Sequence, residues 1–441
     1  MRFEEDLIER IRPDAALVAK VSSTTISLMA LIRDMAMAHH EVVDVRLVGS
    51  VAKETYVGRP DIDVFILFLK ETPRSTLEKI GLGIGREVLP LYEERYAEHP
   101  YIHGTFDSFE VDIVPCYHID DPSQLISAVD RTPFHTKYVL DHLLSEQRDQ
   151  VRLLKQFLKG TRAYGAEARV QGFSGYLSEL LIIKFKTFRK VLEASSRWNF
   201  GTKVTMTNGP SAKFPSPLVF IDPVDETRNV ASALSVEQFA KFVYASQEFL
   251  ASPDERFFFP LERSDMGQDA IKRYFDQTGF KVVIVSSPRP TGIDDNIYPQ
   301  TRKTMEGIRT VLEQGDFHVL DKNFEIGRET RMAFLLMTNE VSQCHKHVGP
   351  PVWMDNSDVF LDRWRGHCVG EPYIEGGRWV ALIRRNHTGA HDLLVKEMAK
   401  ASIGSSFKGM EFSVIPHEQV ISGGYESVLT ELLDKRLPWT I

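Results

Sequence analysis

Apolar residues at near-helical spacing, among them Ile26, Met29, Ala30, Ile32 and Met37, predict that the first ~40 residues are helical and end near His39-His40. The pattern then changes. Val42-Val43-Asp44-Val45-Arg46-Leu47-Val48 is short, rich in β-branched residues and stopped by Gly49-Ser50, as in a buried strand that feeds a turn. Asp61 to Leu69 and Phe109 to Pro115 predict two more strands, with a helix from about Leu77 to Tyr92 between them. Strands and helices thus mix through about residue 120. From Thr136 to about Leu250 the spacing is mainly helical, most plainly over 151–159 and 175–183, and an exposed excursion from about Asn199 to Pro217 interrupts it. Prolines and polar residues between Ser252 and Pro260 mark a boundary. Beyond it, Lys281 to Val285, Met332 to Met337 and Arg378 to Ile383 read as strands, and Gln300 to Glu313 as a helix. The expected class is α+β (mixed), in three parts: a mixed domain over 1–139, a helical domain over 140–256 and an α+β body and tail over 257–441.

A length of 441 residues agrees with two to four domains. With 43% hydrophobic and 26% charged residues, the composition is that of a folded globular chain. The opening Met1-Arg2-Phe3-Glu4-Glu5-Asp6 lacks the apolar stretch of a signal peptide, and no later segment reaches ~18 uninterrupted apolar residues. A cytoplasmic protein away from membranes is expected. Cys116, Cys344 and Cys368 are too few and too far apart for a disulfide framework or a four-cysteine zinc site. Cys344-His345-Lys346-His347 contains metal-ligating types, but read as helix its adjacent side chains diverge, which argues against a zinc site.

The net charge of −8 provides no overall attraction for nucleic acid, so RNA binding requires local basic surface. Lys184, Lys186, Arg189, Lys190, Arg197 and Lys203 supply one such stretch against the single acid Glu193, with Phe185, Phe188 and Trp198 interleaved. The composition fits a solvated helix face over core aromatics as well as it fits a phosphate-binding surface.

The most specific chemistry lies between Gly49 and Asp112. Asp61 and Asp63, two apart on a strand, leave the same face about 7 Å apart. If Asp112 lies on a neighbouring strand and the same face, three carboxylates meet, which like-charge repulsion forbids without cations or protons. Oxygen-only ligands favour Mg²⁺ or Mn²⁺, completed by water and substrate phosphates. Gly49 lets backbone approach a phosphate, and Ser50 donates to its oxygens. Two metals there would serve in-line displacement at phosphorus. Each piece is also found elsewhere: Gly-Ser is common in turns, Asp-x-Asp begins many solvated strands, and glycosyltransferases carry it too.

The order is the more specific signal: a strand, Gly49-Ser50, about ten residues, Asp61-Ile62-Asp63 in a strand, then about fifty residues to Asp112. It resembles the nucleotidyltransferase superfamily that includes DNA polymerase β and poly(A) polymerases. The flanking words, Arg95-Tyr96-Ala97-Glu98-His99-Pro100-Tyr101-Ile102-His103-Gly104, Val111-Asp112-Ile113-Val114-Pro115-Cys116-Tyr117, Ser127 to His135, Tyr164-Gly165-Ala166-Glu167, Gly172 to Tyr176, Asp222 to Ala231 and Asp294 to Gln300, resemble the archaeal (class I) CCA-adding enzymes. The likeness is dense to about residue 300 and thinner beyond.

That resemblance implies a polymerase β-like catalytic domain and untemplated addition of C, C and A to the tRNA 3′ end from CTP and ATP, with release of pyrophosphate. It implies that Asp61, Asp63 and Asp112 hold Mg²⁺, that Asp112 helps deprotonate the attacking 3′-hydroxyl, and that Gly49, Ser50, Lys53, His135, Lys155 and Tyr164 bind the nucleotide. Arg228 matches the arginine that reads the base edge, a task suited to a planar, permanently charged donor. On the residues alone the plainer readings are favoured: His135 a structural histidine, Lys155 a solvated helix lysine, Tyr164 a turn-packing ring, and Arg228 a helix cap or a partner of Asp225 or Glu226. Lys53 and Asp61 stand where the family often has arginine and glutamate; lysine keeps the charge but loses the bidentate fork. The acceptor/T arm of tRNA is the implied partner, and because relatives are often dimers a homodimer is the implied assembly. Two rivals remain at this level: another template-free transferase, such as a poly(A) polymerase or an antibiotic nucleotidyltransferase, and a catalytically silent RNA-binding relative.

Overall fold

The computed structural model describes residues 2–96, 98–206 and 214–441. It divides into two compact units: 1–263 together with 437–441, and 264–436.

In the first unit, α1 (Arg2–Ile11) and α2 (Ala15–Ala36) precede β1 (Val42–Val48). The single helix expected over the first ~40 residues is therefore two. Pro13 separates them, and the Asp14 carboxylate caps α2 by accepting from Leu17 N at 2.7 Å. Ile26 and Met37, two of the residues that suggested an apolar stripe, are 67% and 58% exposed; Val21, Leu28, Met29, Ile32 and Ala36 form the buried face. By length and hydropathy α2 is apolar enough to cross a membrane, yet that face belongs to the core beneath the sheet.

The one-turn helix α3 (Gly49–Ala52) follows β1, then come β2 (Ile62–Phe68), α4 (Arg74–Val88), β3 (Tyr92–Tyr96), β4 (Pro100–Phe106) and β5 (Phe109–Tyr117). The strands make one sheet in the order β1-β2-β5-β4-β3. The helix expected to reach Tyr92 stops at Val88, and β3 and β4 occupy a stretch for which no strand was expected. Period-two alternation divides the sheet's two faces. Ile62, Val64, Ile66, Phe68, Val111 and Ile113 join α2 and α4 in the main core, while Phe65, Leu67, Val114 and Cys116 form a smaller cluster on the opposite face, which Asp63 and Asp112 share by parity.

The rest of this unit is mainly helical: α5 (Thr132–His142), α6 (Gln147–Gly160), α7 (Gly175–Phe185), α8 (Phe188–Ser195) and α9 (Val236–Ala251). Phe157, Phe188, Phe242, Phe249 and Phe258 pack edge-to-face or tilted at its centre, and Phe257 stacks against Phe157 and Trp439. The basic stretch near Lys184 follows this packing. Phe188 is fully buried, Phe185 and Trp198 are half-buried, and Lys184, Lys190 and Arg197 are exposed. Within the excursion expected from Asn199 to Pro217, β6 (Thr202–Val204) pairs in parallel with β7 (Leu218–Phe220), and 207–213 lie outside the described residues.

In the second unit β8 (Lys281–Pro288), β9 (Val319–Ile326), β10 (Glu329–Leu336), β11 (Cys344–Pro351), β12 (Tyr373–Glu375), β13 (Arg378–Arg384) and β14 (Ser413–Ile415) make two antiparallel sheets, β14-β8-β10-β9 and β11-β13-β12. Val283, Val285, Met332 and Phe334 bury one face of the larger sheet, and Val282, Ile284, Ala333 and Leu335 the other. Cys344 to His347 lie on β11 and not on a helix, so successive side chains alternate between faces, and again do not converge on a metal.

Candidate active site

Parallel pairing of β2 with β5 sets Asp63 opposite Asp112. Paired residues of a parallel ladder project to the same side, so these two carboxylates are neighbours on adjacent strands. Asp61 shares their parity just before β2 begins. Burial raises the Asp63 pKa to about 7, and the charges of Asp112 and Asp61 add to the rise. Asp61 is raised as well, by its own burial first and then by Asp112 and Glu110. A group of oxygens that resists ionising beside its neighbours suits a hard divalent cation, which removes that resistance. Among the described residues no three His, Cys, Asp or Glu side chains close on one point. Asp61, Asp63 and Asp112 instead line one edge of this face.

Gly49 adjoins this edge. Its φ is +70°, in the left-handed region, and a Cβ there would fall on the Asp63 carboxylate oxygen. Both conditions require glycine. Ser50 follows within α3, half-buried, and its carbonyl accepts from Thr55 N at 3.0 Å. Across the sheet, His103 of β4 pairs opposite Asp112, its Nδ1 2.6 Å from Asp112 Oδ1 and its Nε2 2.9 Å from Glu110 Oε2. His103 stood inside a quoted motif, but no role was expected of it; only the register brings it to the carboxylate.

The two lysines meet on a residue for which no role was expected. Glu179, fully buried on α7, accepts from Lys53 Nζ at 2.5 Å, Thr55 Oγ1 at 2.6 Å and Lys155 Nζ at 3.1 Å. Burial works against its charge, but Lys155 and Lys53 hold its pKa down to about 2. Lys155 is thus a buried ion-pair member and not a solvated helix lysine; it also donates to Thr55 O and Thr55 Oγ1, both at 3.1 Å, which commits all three of its donors. One turn along α6, Lys159 Nζ lies 5.6 Å from the centre of the Tyr164 ring. Its pKa is lowered by burial and by Lys155, while Asp61 opposes the shift.

A second buried acid, Asp222, gathers the remaining candidates. His135 Nε2 lies 2.9 Å and Arg228 Nη1 2.8 Å from Asp222 Oδ2, and the Tyr176 hydroxyl donates to Oδ1 at 3.2 Å. The His135 and Tyr176 rings stack at 4.0 Å. Burial lowers the pKa of His135, so the imidazole favours its neutral form, and Asp222 partly offsets this. Arg228 pairs with Asp222 rather than with Asp225, which holds Arg131 at 2.9 Å. The sequence-derived residues thus fall into three groups: the carboxylates with Gly49, the lysines on Glu179, and His135 with Arg228 on Asp222.

Residues 29–135 match the nucleotidyltransferase domain, 149–259 the second domain of tRNA nucleotidyltransferases, and 278–416 the C-terminal domain of CCA-adding enzymes. The chain is 38% identical to the CCA-adding enzyme of Methanothermobacter thermautotrophicus over 98% of each chain. It is 36% identical to that of Methanosarcina mazei over 91% of each, and 36% identical to that of Archaeoglobus fulgidus over 96% of this chain and 95% of that one. A polymerase-type centre built into a chain alike over nearly its whole length leaves one assignment: the protein belongs to the CCA-adding enzymes, the tRNA nucleotidyltransferases that add CCA to the tRNA 3′ end.

Proposed function

We propose that Asp61, Asp63 and Asp112 hold two Mg²⁺ ions and that CTP and ATP bind between them and the Gly49 to Thr55 segment. The observation that carries this reading is the register of Asp63 against Asp112 beside Gly49, with Asp63 pushed up to about 7. When bound, the ions would assist attack by the tRNA 3′-hydroxyl and departure of pyrophosphate. Asp112, held on one oxygen by His103, would take the hydroxyl proton. Gly49 and Ser50 approach the phosphates, and Lys53, Lys155 and Tyr164 line the triphosphate side. His135 and Arg228, oriented by Asp222, face the base; a guanidinium fixed at one end presents its other donors in a known plane.

The matched stretches support a division into a catalytic domain over 1–139, a helical nucleotide- and tRNA-binding domain over 140–256, and a C-terminal body and tail over 257–441 that grips the acceptor/T arm. The exposed cations from Lys184 to Lys203 would contact the tRNA backbone. A homodimer acting in the cytoplasm completes the proposal.

The test supplies Mg²⁺, labelled CTP or ATP, and tRNAs that end before the first C, after CC, or at CCA. CMP should add to the first, AMP to the second and neither to the third. A long poly(A) product, or incorporation that survives Asp112→Ala, would defeat the assignment.

A further inference from the structure

We propose that Glu179 is the positioning residue of the triphosphate side, a carboxylate that holds Lys53, Thr55 and Lys155 in place before any nucleotide arrives. The proposal rests on the reading that both lysines face the triphosphate.

Its environment makes stability alone a poor explanation. Leu177, Leu180, Leu181, Ile182 and Ile183 flank Glu179 along α7, and all are buried. A carboxylate there is costly unless it is paired, and replacing a buried ion pair by well-packed apolar residues is often neutral or stabilising. An apolar trio would serve the core at least as well. The charged trio instead fixes two ammonium groups with a net charge of +1, where a triphosphate with several negative charges would dock.

Three elements meet on the one carboxylate. Lys53 and Thr55 belong to the segment that continues from Gly49 and Ser50, Lys155 is on α6, and Glu179 is on α7. Its two oxygens divide the work: Oε2 takes Lys53, and Oε1 takes Lys155 and Thr55. The phosphate-approaching segment is therefore tied to the helices at two points, and Lys53 stays close enough to Asp63 to oppose the rise in its pKa. Without Glu179, two ammonium groups would share an apolar site and repel each other, and the segment would lose both ties. Preorganisation of this kind lowers the ordering cost of binding.

Glu179→Gln keeps the shape and removes the charge. Isothermal titration of the full chain with CTP, ATP, CMP and AMP in Mg²⁺ should show triphosphate affinity reduced roughly 10–100-fold, as when a residue that orients ligand groups from behind is lost. CTP and ATP should lose alike, because the anchor lies on the side of the molecule they share, and CMP and AMP should bind as before. In steady state KM for both triphosphates should rise with kcat within about 3-fold. A folded Glu179→Gln protein whose triphosphate affinities stay within twofold would overturn the proposal. So would tighter binding by released lysines, or monophosphates weakened as much as triphosphates. If Glu179→Gln does not fold, Glu179→Asp carries the test: it keeps the charge one methylene farther back, and unchanged triphosphate affinity would count against the proposal. Lys155→Met separates the two claims. If it leaves triphosphate affinity intact, the underlying reading fails; if it weakens binding and Glu179→Gln does not, only the role of Glu179 fails.

Discussion

Two carboxylate groupings in the first compact unit are both buried, yet their pKa values end on opposite sides of the ordinary range. Asp63 has carboxylates for neighbours and is pushed up to about 7, whereas Glu179 has two ammonium groups for neighbours and is held down to about 2. The side-chain chemistry is the same, so the difference lies in what the chain supplies around it. Around Glu179 the charge is balanced internally, which makes a finished scaffold. Around Asp63 it is left unbalanced, at an energetic cost that a cation from outside can remove. Within one site, then, the perturbed acid that lacks a partner marks where a ligand belongs, and the perturbed acid with partners marks what holds the site in shape.

Neutralising one member of each grouping tests that contrast most strongly. Asp63→Asn and Asp112→Asn should each reduce CMP and AMP incorporation by at least ~10³-fold, the several kcal/mol that bound metal supplies. Asp63→Asn should nevertheless raise the melting temperature of the metal-free protein, because a repelled carboxylate is gone. Glu179→Gln should lower it, with a loss of about 3–5 kcal/mol of stability, since it leaves buried ammonium groups uncompensated. Equal signs in the two melting shifts would dissolve the comparison.

Gly49→Ala should rank next. The added Cβ meets the Asp63 carboxylate while the backbone keeps its φ of +70°. The expected loss is ~2–3 kcal/mol in urea denaturation, with incorporation falling along with it. A neutral substitution would mean that the carboxylate does not sit against this turn.

How much of this was legible in the sequence follows from the kind of signal each residue carries. The strands bearing Asp63 and Asp112 are apolar runs interrupted by acids, and the Asp-x-Asp spacing is visible without a fold. Tyr92-Glu93-Glu94-Arg95-Tyr96 forms an edge strand exposed over most of its length, so it lacks apolar alternation and gave no strand signal. Cys344 to His347, read as helix, lies in a strand whose alternating cysteine, histidines and lysine carry no apolar period to mark it. Glu179 and Asp222 carry no spacing signal, since each is one acid whose partners lie far off in the chain, as with Lys53, 126 positions from Glu179. A lone Glu amid Leu and Ile on a helix was the available clue, because a buried acid demands partners.

Asp222 extends the comparison to the base side, where a smaller effect is expected. It is fully buried and accepts from His135, Arg228 and Tyr176, another internally balanced acid. Asp222→Asn should let the Arg228 plane tilt and reduce the preference for CTP and ATP over UTP and GTP by about 30-fold. That corresponds to the ~2 kcal/mol of a buried, charged hydrogen bond. Comparing kcat/KM for the four nucleotides on tRNA ending before C and after CC measures it. A uniform loss across all four would make Asp222 structural only.

A pH dependence also follows, and its sign sets the two groupings apart once more. The folded-state pKa of Asp63, about 7, lies above its unfolded value, so between about pH 4 and 7 the native protein holds the extra proton. Stability from this group is fully present below the unfolded pKa and is lost as pH rises through 7, by at most ~1.4 kcal/mol per pH unit. Glu179 runs the other way: its contribution is complete above the ordinary glutamate range and disappears only as pH falls toward 2. The buried histidines His99, His135 and His417, with lowered pKa values, favour folding as pH rises through 6.5, and so partly mask Asp63 in the wild type. The informative quantity is therefore the difference between Asp63→Asn and wild type, in chelator, from pH 5 to 8. The variant's advantage should grow through pH 7 and then level off, and saturating Mg²⁺ should abolish the trend, because the metal and the proton compete for the same carboxylate. A difference that stays flat across this range would mean that Asp63 ionises normally without metal, and the contrast with Glu179 would then rest on geometry alone.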